Sequence, residues 1–214
     1  MLKIKVFRVN PLGENCYILS NNENEGIIID CGAKEKEECT MIKAYLEQEK
    51  ITLRYVLLTH GHFDHILGLP FLKNEYDLSP MMHINDQDWY DHCNEVCISV
   101  FNEGLKEPMP TIGCYLEDGQ TIQLGNDSFK VIHTPGHTQG GVCFYNEEQG
   151  ILFSGDTLFQ CSVGRSDLEG GNQSQLIKAI CEKLLVLPDH VQVYPGHGAP
   201  TTIGFEKVNN YYLV

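Results

Sequence analysis

Four side chains that can bind a metal ion lie within six consecutive positions, in the segment Thr59-His60-Gly61-His62-Phe63-Asp64-His65. The segment directly follows the apolar run 55–58, which has the composition of a buried strand. Sites in α/β proteins form at the carboxyl ends of such strands. Three imidazoles and one carboxylate are therefore expected to meet at this end of the strand, and they predict a metal site.

Three further candidate ligands come later in the chain, each beside a glycine and after a strand-like run. They are His137 in Thr134-Pro135-Gly136-His137-Thr138, Asp156 in Phe153-Ser154-Gly155-Asp156-Thr157 and His197 in Tyr194-Pro195-Gly196-His197-Gly198. Seven nitrogen or oxygen ligands exceed what one tetrahedral zinc ion takes, but they suit two ions that share a bridging carboxylate. The count therefore predicts a dinuclear centre. Zinc is the expected metal, with iron and manganese as alternatives because they bind the same ligands.

Other residues with metal-binding chemistry are not assigned to this centre. The remaining histidines are His83, His92, His133 and His190. The nine cysteines form no CxxC pair, so reduced thiols are expected rather than a disulfide framework or a zinc site. Packing is the expected role of the four most noticeable cysteines, Cys31, Cys93, Cys97 and Cys161.

Composition limits the class of protein. The 214 residues, 42% of them hydrophobic, contain no linker-like stretch, so one domain over residues 1–214 is expected. We expect a cytoplasmic protein without membrane contact, because the first residues lack a continuous apolar segment and nowhere do 18 apolar residues run together. A formal charge of −14 argues against a nucleic-acid partner and favours a small-molecule substrate. The oligomeric state is left open.

The secondary-structure pattern favours an α/β fold. Strands are predicted at 3–9, 16–19, 27–29, 55–58, 81–84, 129–132, 142–145, 151–153 and 191–194. Helices are predicted at 34–50, 70–76, 86–103 and 173–187. The order fits two packed sheets flanked by helices, a four-layer αββα sandwich, better than regular βαβ alternation. The acidic residues between 86 and 91 are expected to be solvated at the start of a helix.

The ordered set of His60-x-His62-x-Asp64-His65 with the three later ligands resembles the metallo-β-lactamase superfamily of hydrolases. Gly155-Asp156-Thr157-Leu158-Phe159, followed by Gly164-Arg165-Ser166-Asp167, is similar to its glyoxalase II-like group, the hydroxyacylglutathione hydrolases. The resemblance implies the αββα fold, with His60, His62 and His137 on one metal ion. It implies Asp64, His65 and His197 on the second ion, with Asp156 bridging the two.

Two further roles follow from the resemblance. Asp64 is expected to orient the attacking hydroxide. Asp30, in Ile28-Ile29-Asp30-Cys31-Gly32, is expected to support the ligand loops without touching metal, since metal-bound histidines need a partner that fixes their tautomer.

The expected substrate is a thioester, because a thiolate leaves without a strong general acid and the motifs contain no obvious one. The glyoxalase II-like group implies hydrolysis of S-lactoylglutathione. Only 17 residues follow His197, so the helical region that holds glutathione in the larger enzymes is not matched. Arg165 occupies the position of a basic residue directed toward the glutathione carboxylate, and the alternative for it is an ion pair with Asp167 that braces the loop.

One other function remains as the alternative, and two further classes of protein are disfavoured. A persulfide dioxygenase-like enzyme shares the segments around Asp156 and Arg165 but uses a single iron ion. Metallo-β-lactamases proper carry a cysteine where this chain has Asp156 and are exported. A non-catalytic metal-binding module would not need a complete ligand set. We therefore expect a dinuclear thioesterase.

Overall fold

The computed structural model of the protein describes residues 2–213. Its first sheet contains six strands in the order β1-β2-β3-β4-β5-β6. The strands are β1 Lys3–Val9, β2 Glu14–Ser20, β3 Glu25–Ile29, β4 Thr52–Leu57, β5 Pro80–His83 and β6 Cys114–Leu116. The first three strands pair antiparallel, and β3 to β6 pair parallel. The carboxyl ends of β3, β4 and β5 therefore lie at the same edge.

The second half of the chain forms a second six-stranded sheet and a small hairpin. The strands are β7 Thr121–Leu124, β8 Asp127–His133, β9 Val142–Asn146, β10 Ile151–Gly155, β11 Leu158–Phe159, β12 Ser162–Val163, β13 Gln192–Pro195 and β14 Thr201–Thr202. The sheet order is β14-β13-β10-β9-β8-β7, while β11 and β12 pair with each other. Over residues 2–213, β10 and β13 are the only parallel pair of this sheet. Their carboxyl ends therefore also share one edge.

Six helices are present in the described residues. They are α1 Lys36–Gln48, α2 Leu69–Tyr76, α3 Gln87–Asp91, α4 Cys93–Phe101, α5 Gln173–Ala179 and α6 Ile203–Asn209. Helix α1 begins with a capping box between Glu35 and Glu38, and α2 has a proline in its first turn. The helix predicted at 86–103 is split into α3 and α4 at His92. The helix predicted at 173–187 begins as α5 and continues as a π-helical turn over Ile180–Leu184.

Alternating side chains show that helices cover both outer faces of the paired sheets. In β3, Ile27 and Ile29 pack between the sheets, whereas Ile28 packs in the cluster that includes helical residues of α1, α2 and α4. In β9, Phe144 packs between the sheets, and Cys143 packs outward in the cluster with residues of α5. This alternation follows from the period of two in a strand. The predicted αββα sandwich is therefore confirmed.

Within residues 2–213, no helix combines the length and apolar composition needed to cross a bilayer.

Candidate metal centre

The seven candidate ligands and the supporting residue Asp30 follow five strands whose carboxyl ends lie at one edge of the sandwich. The segment 60–65 follows β4, and Asp30 follows β3 in the first sheet. In the second sheet, His137, Asp156 and His197 follow β8, β10 and β13. Parallel pairing makes the ends of β3 and β4 adjacent, and likewise those of β10 and β13. Strand β8 runs in the same direction as β10 because both pair antiparallel with β9, so its carboxyl end lies at the same edge. Sites in α/β proteins form at such an edge. His60 and His137, which are far apart in sequence, consequently have ring centroids only 4.8 Å apart.

His60, His62 and His137 form a first group of buried ligands whose nitrogen atoms lie within 4.8 Å of one another. Nε2 of His60 and Nδ1 of His62 are 3.1 Å apart. Two nitrogens on one tetrahedral zinc ion are separated by about 3.3 Å, given zinc–nitrogen bonds of about 2.0–2.1 Å. His137 donates from Nδ1 to the Arg165 carbonyl at 2.6 Å, while its buried Nε2 has no hydrogen-bond partner. The donor set therefore fits a cation.

Asp64, His65 and His197 form a second group, also within 4.8 Å of one another. Nε2 of His65 is 3.2 Å from Nε2 of His197, and the latter atom is 3.2 Å from Oδ2 of Asp64. These separations again match two ligand atoms on one small cation.

Asp156 lies between the two groups. Its Oδ1 is 3.5 Å from Nε2 of His65, and its Oδ2 is 3.6 Å from Nε2 of His137. Oδ1 is buried without a hydrogen-bond partner. A buried carboxylate oxygen without a donor is costly unless a cation satisfies it. The structure thus brings all seven predicted ligands together, in two clusters that fit a dinuclear metal site with Asp156 facing both.

Burial and neighbouring charges set the protonation of these ligands. Burial and the surrounding imidazoles lower the pKa of His60 well below its usual value and that of His62 to about 3. Both are therefore neutral at neutral pH, the form that binds metals. Burial opposes the charged form of His65, but Asp156, Asp64 and Asp30 outweigh it and raise its pKa. Metal binding at His65 must therefore release a proton.

Asp30 supports the second group through its side chain. Its carboxylate accepts hydrogen bonds from the backbone nitrogen and hydroxyl of Thr59, at 2.8 and 2.7 Å, and from Nδ1 of His65 at 2.9 Å. Because Nδ1 donates to Asp30, the proton that His65 releases on metal binding leaves from Nε2, which then presents its lone pair to the second group. Asp30 also adopts a left-handed backbone with φ of 49°, an uncommon conformation for a residue other than glycine.

Strand β2 holds the His197 loop through residues that the sequence pattern did not single out. The Asn15 amide donates to the carbonyls of Pro195 and Gly198 at 3.0 and 3.1 Å. The Tyr17 hydroxyl donates to the Pro195 carbonyl at 2.7 Å. Polar side chains in and beside the apolar run 16–19 were the available signal, but their partners lie about 180 residues away in sequence.

Three sequence-based expectations about nearby residues have different outcomes. The expectation of solvated acidic side chains between 86 and 91 is wrong for Asp86, which is fully buried. Arg165 makes two hydrogen bonds of 2.8 Å to Asp167, as the loop-bracing alternative expects, and its role toward glutathione stays a prediction. His133 lies outside both groups and stacks on His83 at 4.2 Å.

Three of the four cysteines expected to have a packing role are buried. Cys31, Cys93 and Cys97 are buried in the core that contains α1, α2 and α4, and Cys161 is half-buried.

The family model described as Metallo-beta-lactamase superfamily matches residues 9–197, a span that includes every candidate ligand. The chain belongs to the metallo-beta-lactamase superfamily. Among its members, the Hydroxyacylglutathione hydrolase GloC of Haemophilus influenzae is 32% identical to this chain, over 99% of this chain and 98% of that protein.

Two solved structures of the superfamily are similar over nearly their whole length. The BLEG-1 B3 metallo-beta-lactamase aligns with a TM-score of 0.90 and 33% identity, over 99% of this chain and 100% of that chain. TTHA1623 in a di-iron-bound form aligns with a TM-score of 0.85 and 33% identity, over 98% of this chain and 100% of that chain. The two structures agree with this chain in fold, while the two names that state an activity, hydroxyacylglutathione hydrolase and metallo-beta-lactamase, differ in the reaction.

Proposed function

We propose that the protein is a metal-dependent hydrolase that cleaves small-molecule thioesters with two divalent metal ions per chain. The observation that carries the proposal is the position of Asp156 between two complete ligand groups. Zinc is the metal we favour. Iron and manganese suit the same imidazole and carboxylate ligands, and the di-iron form of TTHA1623 makes iron the first alternative to test.

Two bound divalent ions would lower the pKa of a water molecule and stabilise the negative charge that develops on an attacked carbonyl oxygen. His60, His62, Asp64, His65, His137, Asp156 and His197 are the residues that would hold these ions. His65 and His197 lower the pKa of Asp64 against the opposing effect of burial, so its carboxylate is ionised at neutral pH. An ionised carboxylate accepts hydrogen bonds, and in this role Asp64 would orient the attacking hydroxide or water.

A thioester matches this set of groups because its leaving group needs little help. A thiol has an ordinary pKa of about 8–9, so the thiolate leaves without a strong acid beside it. Amides, in contrast, need a proton donor at the departing nitrogen.

A cavity of about 450 Å³ beside the first group provides space for a substrate. Its walls include Trp89, Gln139 and Gly170. The Trp89 ring meets the His62 ring edge-to-face with centroids 4.5 Å apart, and Gln139 follows His137 by two residues. A molecule in this cavity would therefore lie against the loop that carries His137 and against Trp89, whose ring contacts His62.

Within the thioesters, we propose S-lactoylglutathione or a related acyl-thiol as the substrate. The resemblance of the segments around Asp156 and Arg165 to hydroxyacylglutathione hydrolases supports it, as does the similarity to GloC. Arg165 is exposed on its loop and is paired with Asp167. A glutathione carboxylate would replace Asp167 as its partner, so we expect weak binding of glutathione thioesters.

Thiol release from a thioester panel tests the proposal. The protein is loaded with zinc, iron or manganese and given S-lactoylglutathione, a small neutral thioester and a β-lactam in parallel. We expect thioester hydrolysis that is abolished by a chelator and restored by metal. A β-lactam cleaved faster than every thioester would contradict the proposal, as would oxygen uptake with glutathione persulfide by a protein that binds a single iron ion.

A further inference from the structure

Asp86 joins the two loops that supply the first ligand group. It lies at the end of the 3₁₀ turn Ile84–Asp86, which follows β5. Its Oδ2 accepts hydrogen bonds from the Gly61 backbone nitrogen at 2.9 Å and the Thr138 hydroxyl at 2.7 Å. Its Oδ1 accepts one from the Gly140 backbone nitrogen at 2.6 Å. Gly61 separates His60 from His62 in a loop of the first sheet, whereas Thr138 and Gly140 follow His137 in the second.

Both glycines are required by the close approach of residue 86. A Cβ atom at Gly61 would lie 2.8 Å from the Asp86 carbonyl oxygen and 3.0 Å from its Cβ. A Cβ atom at Gly140 would lie 2.6 Å from the Asp86 Cγ. The two ligand loops are therefore built closely around this one carboxylate, and no larger residue fits at either position without a shift.

The cost of burying the Asp86 carboxylate indicates that its three hydrogen bonds do more than stabilise the fold. A fully buried carboxylate loses its hydration, and hydrogen bonds repay that cost only in part. Burial accordingly raises the pKa of Asp86 against the lowering effect of its three donors. An apolar residue of similar size would fill the space at lower cost, but it could not hold three polar groups from two separate loops.

We propose that Asp86 is a positioning residue for the first metal ion, one that fixes the separation between the His60–His62 loop and the His137 loop. It mirrors Asp30 on the other side of β4. Asp30 follows β3 and contacts Thr59 and His65, whereas Asp86 follows β5 and contacts Gly61. The inference rests on the metal centre and does not depend on the substrate proposed above.

Asp86→Asn is the informative change because it keeps the size and removes one acceptor. An asparagine amide has a single oxygen, so its NH₂ group must face either the Gly140 nitrogen or the Gly61 nitrogen and Thr138 hydroxyl. In either orientation a backbone N–H loses its acceptor and one loop moves. Loss of such supporting contacts lowers metal affinity by about 10- to 100-fold.

Thr138 supplies an independent pair of variants. Thr138→Val removes the hydroxyl that Asp86 accepts from, while Thr138→Ser keeps it. Asp118→Asn is the control for the same change of carboxylate to amide. Asp118 accepts a backbone hydrogen bond from His133 at 2.7 Å and pairs with Lys183 at 2.9 Å, but it contacts none of the ligands. An asparagine oxygen can keep the bond to His133, and loss of the exposed ion pair with Lys183 should cost little.

The test measures zinc affinity by competition with a coloured chelator in two backgrounds of the full chain. His197→Ala leaves the first group complete, and His137→Ala leaves the second complete. We expect Asp86→Asn and Thr138→Val to weaken zinc binding about 10- to 100-fold in the His197→Ala background only. Thr138→Ser and Asp118→Asn should change it little. Equal weakening in both backgrounds would show a general effect on folding and overturn the proposal, as would unchanged affinity in both.

Thermal unfolding of each metal-free variant checks that the chain is folded. If Asp86→Asn does not fold, the Thr138→Val and Thr138→Ser pair decides the question with the same measurement. Because the readout is metal binding without substrate, the result is independent of whether the protein cleaves thioesters.

Discussion

Replacing Asp30 by asparagine should weaken the second metal ion selectively, through the tautomer of His65. In the structure, Oδ2 of Asp30 accepts from Nδ1 of His65, and Oδ1 accepts from the Thr59 backbone nitrogen. The asparagine side chain of the variant can keep its oxygen on Thr59, but its NH₂ then faces Nδ1. Nδ1 must become an acceptor, so the proton moves to Nε2, the nitrogen that faces Asp64, Asp156 and His197.

The size of this effect follows from the contacts that are lost. Loss of a supporting partner of a metal-bound histidine lowers metal affinity by about 10- to 100-fold, which corresponds to about 1.4–2.7 kcal/mol. Asp30→Ala is a harsher change, because it removes the acceptor of three buried donors, the Thr59 N–H, the Thr59 hydroxyl and the His65 N–H. At about 1–3 kcal/mol for each donor, it should lower the free energy of unfolding by about 3–9 kcal/mol.

Zinc stoichiometry and chelator competition measure the first effect, and denaturant unfolding measures the second. The asparagine variant should retain one zinc ion tightly and bind the other weakly, while Asp118→Asn should resemble the unmodified protein. Two ions bound with unchanged affinity would refute the tautomer argument. Equal weakening of both ions would show that Asp30 acts as strongly on His60, through the Thr59 hydroxyl 3.0 Å from its Nδ1, or through the general fold.

Three further changes test other parts of the centre. Asp156→Ala removes the group that faces both clusters, so the occupancy of both zinc sites should fall and turnover should drop by at least about 100-fold. Retention of both metals with ordinary turnover would exclude a bridging role. Arg165→Ala should raise KM several-fold for a glutathione thioester and leave a small neutral thioester little changed, whereas equal losses on both would show that Arg165 only braces its loop. Tyr17→Phe removes the hydrogen bond to the Pro195 carbonyl and should lower the free energy of unfolding by about 0.5–1.5 kcal/mol. It should also weaken binding of the ion held by His197. Unchanged stability and zinc content would mean that Asn15 holds the loop alone.

The sequence was sufficient to predict the main strands and the residues that the structure gathers in the two groups, because both depend on local patterns. The alternation at 3–9 predicts β1 with its observed bounds, and the apolar run 55–58 predicts β4 and the loop after it. Short elements such as β11, β12 and β14, each of two residues, carry too little periodicity to be recognised.

The supporting residues could not be predicted because their partners are distant in sequence. In the sequence, Asp86 is one of several acidic residues at a helix start, and nothing near it indicates that Thr138, 52 residues later, donates to it. Asn15 is joined to Pro195 across 180 residues. Such contacts arise from the packing of the two sheets, which periodicity does not specify. The conformation of Arg165 likewise depends on a contact to Asp167 that sequence reasoning could only name as one of two alternatives.

Two metal ions, we propose, act together in one hydrolytic centre. The most direct test is to add metal stepwise to the metal-free protein and to record S-lactoylglutathione hydrolysis at each step. Activity should stay low until more than one equivalent is bound and should reach its plateau at two equivalents, since the ligands form two groups joined by Asp156. A plateau at one equivalent, or full occupancy by two ions without hydrolysis of any thioester, would contradict the account.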